Sequence, residues 1–231
     1  SSPSFDGFVA VEGGTIVDVG TGVAPAARRT IDADGCIVTP GFVDVHTHYD
    51  AQASWDPWLT PSSWHGVTTA IMGNCGVGFA PVEPDRHEWL IGLMEGVEDI
   101  PGSAMTEGIE WRWRSYPEYL DALEAMPRVF DLGSQLAHGP LRAFVMGDRG
   151  AANAEATDTD IDAMASLTYE ALRAGAFGFS TSRTPLHRSR DGELVPGTHA
   201  DERELLGIAD AIRRAGHGVF QFAPEHARVP V

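Results

Sequence analysis

Two histidines, His46 and His48, lie two residues apart in Pro40-Gly41-Phe42-Val43-Asp44-Val45-His46-Thr47-His48-Tyr49-Asp50. Side chains two apart on a strand point to one face, so both imidazoles can reach a single ion. Neutral imidazole is a common metal ligand. The plainer alternative is two polar residues where a strand leaves the core. Cys75, in Gly73-Asn74-Cys75-Gly76, adds a soft ligand, and one sulfur can bridge two zinc ions. Alone it would read as a small buried hydrophobe. Arg183 carries a planar guanidinium that can grip a substrate carboxylate or pair with an acidic neighbour. His138 and His187 stand at or just past strand ends, between site and scaffold. Asp50 and His138 join Arg183 as the expected substrate-binding groups. Trp111 and Trp113 either wall an apolar pocket or pack a long loop.

The elements that must position these groups follow from pattern and punctuation. Phe8–Glu12 and Thr15–Val19 flank Gly13-Gly14, and Thr30–Ala33 and Cys36–Thr39 flank Asp34-Gly35, so two hairpins are expected. Cys36 is expected in their core. From Pro40 the pattern alternates: buried strands at Phe42–Val45, Gly66–Met72, Val129–Leu136, Ala176–Ser180 and Gly218–Phe222, with helices between. Ser115 and Glu118 form a capping box, and Gly175 stops a helix from about Asp158 to Ala174. Asp201 and Glu204 are expected to cap the last helix. Alternating strands and helices imply an α/β fold, a partial (β/α)8 barrel of about five strands (residues 40–231) preceded by part of a small β-sandwich (residues 1–39). In such a barrel the strand C-termini carry the chemistry, which is where His46, His48, Cys75, His138 and Arg183 fall.

The formal net charge of −17 argues against nucleic acid and anionic membrane surfaces as partners. No apolar run approaches the roughly 20 residues that span a bilayer. Two cysteines give no disulfide framework, and the opening residues lack a signal-peptide pattern, so cytoplasm is expected.

The stretch from Pro40 to Pro81 resembles the amidohydrolase superfamily. Gly73-Asn74-Cys75-Gly76-Val77-Gly78-Phe79-Ala80-Pro81 is similar to the N-acyl-D-amino-acid deacylase (D-aminoacylase) branch. The similarity continues through Leu136–Arg142 and Gly178–Thr184. It implies hydrolysis of the amide of N-acyl-D-amino acids, with one or two zinc ions on His46, His48 and Cys75. Other amidohydrolases bridge two metals with a carboxylated lysine, and this chain has no lysine. The resemblance also implies a general-base aspartate on the last barrel strand, beyond this chain, and a metal-binding histidine on the fifth. Phe222 occupies that fifth-strand place, with His226 four residues on (226 − 222). The chain is therefore expected to be a piece of a protein about twice as long and inactive alone. Its open barrel edge would be covered by the rest of that protein or by self-association. A cyclic-amide hydrolase and a non-catalytic homologue without its metal centre are the alternatives.

Overall fold

The computed structural model describes residues 4–98 and 100–225. Backbone contacts divide the chain into two compact units, Ser1–Pro40 and Gly41–Val231. In the first, β1 (Phe8–Glu12) and β2 (Thr15–Gly20) pair antiparallel about Gly13 and Gly14, whose φ angles of 57° and 82° suit glycine. The second expected hairpin does not form. Asp34-Gly35 makes its turn, closed by Cys36 N–H donating to Ala33 O (2.9 Å), but no ladder follows. Ile31, Ile37 and Val38 stay exposed, and so does Cys36, which is no core thiol.

The second unit holds five strands: β3 (Phe42–Asp44), β4 (Val67–Met72), β5 (Asp131–Ala137), β6 (Gly178–Ser182) and β7 (Val219–Ala223). They are all parallel and pair in chain order, the α/β class expected of a partial (β/α)8 barrel. All their C-termini consequently share one edge. Helices α1 (His87–Glu98), α2 (Gly102–Gly108) and α3 (Tyr116–Glu124) separate β4 from β5. Then α4 (His138–Met146), α5 (Asp148–Ala151) and α6 (Asp158–Ala174) precede β6, and α7 (Glu202–Ala215) precedes β7.

Caps set the helix limits. Ser115 and Glu118 form a capping box on α3, Thr157 and Asp160 another on α6, and Gly175 and Gly216 end α6 and α7 in the left-handed region. Asp201 caps α7 by accepting from Glu204 N–H, but the Glu204 side chain is no cap. It turns into the core, 1% exposed, on the face shared by Ile208 and Ala211. The core gathers where β6 meets α4 and α6: Phe179, Leu141 and Met164 are fully buried. Each contributes roughly 1.5–3 kcal/mol by leaving water. β3 was expected to be buried but forms an edge of the sheet, so Phe42, Val43 and Val45 are exposed.

Candidate metal centre

The Gly73–Gly76 turn at the end of β4 is an unusual piece of backbone. Gly73, Cys75 and Gly76 all have positive φ (75°, 57° and 72°), and for Cys75 that conformation carries strain. A Cβ on Gly73 would lie 2.1 Å from Gln135 O. The turn is held by side chains from β5, β6 and β7 and by its own Asn74. Asn74 Nδ2 donates to Thr47 O (3.1 Å) and Ile71 O (2.9 Å), and its Oδ1 accepts from Gln135 Nε2 (2.7 Å). Ser180 Oγ donates to Gly73 O and accepts from Gly76 N–H. Cys75 N–H donates to Gln221 Oε1 at 3.0 Å. With its backbone satisfied on all sides, the turn presents the sulfur rather than burying it out of reach.

That sulfur lies 3.2 Å from His46 Nε2. One ligand atom each from His46, His48 and Cys75 falls within 4.8 Å of the others, so the structure brings these three together. His46 is exposed, His48 half-buried and Cys75 buried, a gradient that opens the site on one side. Thr47 N–H and Oγ1 both bond Ile71 O (2.9 Å each), locking the segment between the two imidazoles onto β4.

The electrostatics suit a cation. Burial pushes the Cys75 thiol up to about 12, with the Glu98 and Asp50 carboxylates adding to it. Burial, then the His46 and His187 rings, push His48 down to about 4, so its ring is neutral at pH 7. Burial also lifts Asp50 to about 7, with Glu98 a smaller contributor, against an opposing backbone bond from Gly73. The neutral His48 ring, the Cys75 thiol and two nearby carboxylates form a donor set that a dication would stabilise. His48 Nδ1 is buried without a partner among the described residues, and so is Asp50 Oδ2. An ion at the trio gives such a nitrogen a partner. The residues present therefore fit a soft divalent metal.

The other expected site residues fare differently. His138 opens α4 fully buried, with Nδ1 2.8 Å from Thr181 Oγ1 and Nε2 2.7 Å from Glu204 Oε1. Both nitrogens face protein, and His138 links α4 to β6 and α7. Arg183 follows β6, and its Nη1 donates to Ala200 O (2.5 Å) and Gly197 O (3.4 Å). His187 Nδ1 sits 2.9 Å from Ser182 Oγ, and its ring is near enough to influence His48. Phe222 is half-exposed on β7 beside Gln221, and His226 lies outside the described residues. Trp113 is buried and donates to Phe79 O (2.8 Å). Trp111 stacks on His87 (3.8 Å between ring centres) and lines a cavity of about 430 Å³ with Ile91, Glu95 and Arg190. That cavity is not lined by the trio.

Sequence reasoning missed Glu98 and Gln221. Glu98 was legible in principle: it follows Met94 by four residues, on the stripe that α1 buries. No helix among the described residues is long and apolar enough to cross a membrane.

Comparison with known proteins is consistent with this geometry. The pattern of the amidohydrolase family matches residues 29–228. D-aminoacylase from Alcaligenes xylosoxydans xylosoxydans is 34% identical over 197 residues, covering 84% of this chain and 38% of that protein. A solved D-aminoacylase, studied for the role of its binuclear metal center, superposes with a TM-score of 0.73 at 34% identity. The match covers 95% of this chain and 41% of that one. N-acyl-D-glutamate deacylase from Bordetella bronchiseptica, solved with zinc and a phosphonate inhibitor, gives 0.62 at 27% identity, over 90% and 38% of the two chains. The chain thus spans about two fifths of the length of the relatives it matches.

Proposed function

This chain belongs to the amidohydrolase family, and from that premise we propose that the protein hydrolyses the amide bond of N-acyl-D-amino acids with zinc held by His46, His48 and Cys75. The observation that carries the reading is the meeting of these three side chains at adjacent strand ends, with Cys75 Sγ 3.2 Å from His46 Nε2. When bound, such an ion supplies Lewis acidity, lowering the pKa of water to about 7 and polarising a carbonyl.

The chain's own residues do the rest. The clamped Gly73–Gly76 turn fixes the sulfur, so binding requires little reorganisation. The Asp50 and Glu98 carboxylates provide the negative field that draws a cation in, and a bound cation would offset their upward push on the Cys75 thiol and favour the thiolate. Arg183 has Nη1 committed to the Ala200 and Gly197 carbonyls, which orients the guanidinium; its opposite edge is assigned to the substrate carboxylate. Asp50 Oδ2 is assigned to accept from the substrate amide. The contact expected of His138 passes to these two. No residue of this chain is assigned the proton acceptor for the attacking water, so the 231 residues alone are proposed to bind the ion and substrate without turnover. The β3 and β7 edges of the sheet are proposed to be covered by further chain or by a second copy.

The test is an amide-hydrolysis assay on the intact protein, comparing N-acyl-D-amino acids with their L-isomers and with cyclic amides. D-selective turnover that chelation abolishes and zinc restores is expected. Turnover confined to cyclic amides, or none in zinc-replete protein, would overturn the proposal.

A further inference from the structure

The cavity of about 430 Å³ opens between α1, α2 and the segment after β6, and the metal trio takes no part in its walls. Its volume is in the range of about 300–1,000 Å³ usual for small-molecule sites. Glu88, Ile91 and Glu95 follow one another by three and four residues, so α1 turns all of them to the cavity. Another part of the wall is Trp111, lying flat against His87 with ring centres 3.8 Å apart and planes 4° from parallel. Burial pushes the His87 ring below its usual value, against the nearby Asp85, so at pH 7 this stacked pair is an uncharged aromatic surface.

Arg190 closes the cavity from the segment after β6. Two glycines of α1 make room for that segment. Arg190 N–H donates to Gly92 O at 3.0 Å, and a Cβ on Gly92 would meet Arg190 Nε at 3.1 Å. A Cβ on Gly96 would meet the Ser189 backbone at 2.1 Å. With its backbone fixed on the helix, Arg190 holds its guanidinium 3.6 Å from Glu88 Oε1 and 3.6 Å from Glu95 Oε2. Both separations exceed the about 2.7–3.2 Å of a hydrogen bond, so the guanidinium donors are not closed onto either carboxylate. Glu95 is itself oriented, because its Oε1 accepts from Gly102 N–H at 2.9 Å.

Such walls sort ligands by charge. A guanidinium grips a carboxylate through paired N–H donors, and a carboxylate accepts from an ammonium. A purely anionic ligand would meet Arg190 but also two like charges, and a purely cationic one would meet Arg190 as its own repulsion. A zwitterion satisfies both signs. Ile91 and Trp111 suit an apolar side chain, while Glu88 and Glu95 oppose an acidic one. The structure assigns this cavity to a free α-amino acid with an apolar side chain: Arg190 takes its carboxylate, Glu88 and Glu95 its ammonium, and Trp111 and Ile91 its side chain. In naming the ligand's source this rests on the deacylase reading and deepens it. Hydrolysis of an N-acyl amino acid releases the amino group that the two carboxylates accept, whereas the acylated substrate carries only the negative charge. The cavity therefore recognises product and rejects substrate.

The test is calorimetric titration of the intact protein, stripped of metal by chelation so that the trio cannot hold the ligand through an ion. The probes are D-leucine, N-acetyl-D-leucine, which lacks the ammonium, and D-leucinamide, which lacks the carboxylate. D-leucine should bind saturably in the micromolar to low-millimolar range, and the other two at least about tenfold more weakly. Arg190→Gln and Glu95→Gln should each weaken D-leucine binding about tenfold or more. Glu95→Gln keeps an acceptor for Gly102 N–H, so it reports on the charge even where Arg190→Gln fails to fold. D-leucine should also shift the Trp111 indole N–H resonance, assigned with Trp111→Phe. No saturable binding, equal binding of D-leucine and N-acetyl-D-leucine, or an affinity untouched by Glu95→Gln would overturn the inference. Turnover by the zinc-loaded enzyme decides the deacylase reading separately. D-leucine binding without turnover keeps the amino-acid site and removes its identification as a product site, and turnover without D-leucine binding overturns this inference alone.

Discussion

Replacing Glu204 by leucine should be among the costliest single changes in this chain, for a reason unrelated to the metal. Glu204 and Arg142 are each 1% exposed, and Arg142 heads the fully buried side chains by size among the described residues. Arg142 Nη1 donates to both Glu204 oxygens and Nη2 to Ala154 O, while His138 Nε2 shares Glu204 Oε1 at 2.7 Å. Leucine removes the carboxylate that, among the described residues, pairs with both Arg142 and His138, leaving a buried guanidinium uncompensated and, with it, an imidazole N–H without an acceptor. Breaking a buried pair from one side costs about 3–5 kcal/mol, and the orphaned His138 donor pushes toward the upper end. At roughly 2–4 °C per kcal/mol for a chain of this size, Tm should fall by about 6–20 °C. The assay is urea unfolding followed by tryptophan fluorescence. Arg142→Met added to Glu204→Leu should recover most of the loss, since an apolar pair of similar volume is often neutral relative to the ions. A single-variant cost below about 1 kcal/mol, or a double variant as unstable as the single, would refute the buried-charge reasoning.

Three further outcomes are expected. Burial holds His138 below 6.5, so the unfolded chain takes up that proton more readily than the fold; burial alone would raise Glu204, but its His138 and Arg142 contacts outweigh that and hold it below 4.5. Both groups therefore favour the folded state at neutral pH, and urea midpoints should fall as pH drops below about 6.5 and further below about 4.5; midpoints that stay flat or rise on acidification would contradict the assignment. Gly73→Ala places a Cβ against Gln135 O at φ 75°, so it should cost about 2 kcal/mol or more and weaken zinc binding together with stability, whereas an unchanged unfolding curve would show that the turn is not clamped. Arg183→Lys should lower kcat/KM for N-acyl amino acids by about 1–3 kcal/mol of transition-state stabilisation, with uncharged amide analogues nearly unaffected; equal losses for both would make Arg183 structural.

Most of the fold was legible because its signals are local. The capping box at Ser115 and the glycine at 175 mark helix ends within a few residues of chain, whereas the Thr157 box emerges only in the structure. β6 runs Gly178–Ser182, two residues later than the apolar run suggests: Ala176 N–H still bonds back to Ala171 O of α6, while Phe177 already bonds Ser134 O and Val219 N–H of the neighbouring strands. What the sequence hides is pairing across distance. Asp34-Gly35 is a sound turn, but a ladder also needs strands that pair, and Ile31, Ile37 and Val38 remain exposed. Glu204 looks like a capping-box acid three residues after Asp201; its partners Arg142 and His138 lie more than 60 residues away and draw it inward. The site shows the same division. The H-x-H spacing and the Asn-Cys-Gly turn announce His46, His48 and Cys75, whereas Gln221 and Glu98 reach the site only through β7 and α1 folding against it.

The central claim, that His46, His48 and Cys75 together hold a divalent ion, is tested most directly by zinc K-edge X-ray absorption on the zinc-loaded intact protein, beside Cys75→Ser. The account predicts a sulfur scatterer at about 2.3 Å with nitrogen at about 2.0–2.1 Å in wild type, and loss of the sulfur shell in the variant. A first shell of nitrogen and oxygen alone in wild type, or a sulfur shell that survives Cys75→Ser, would contradict it.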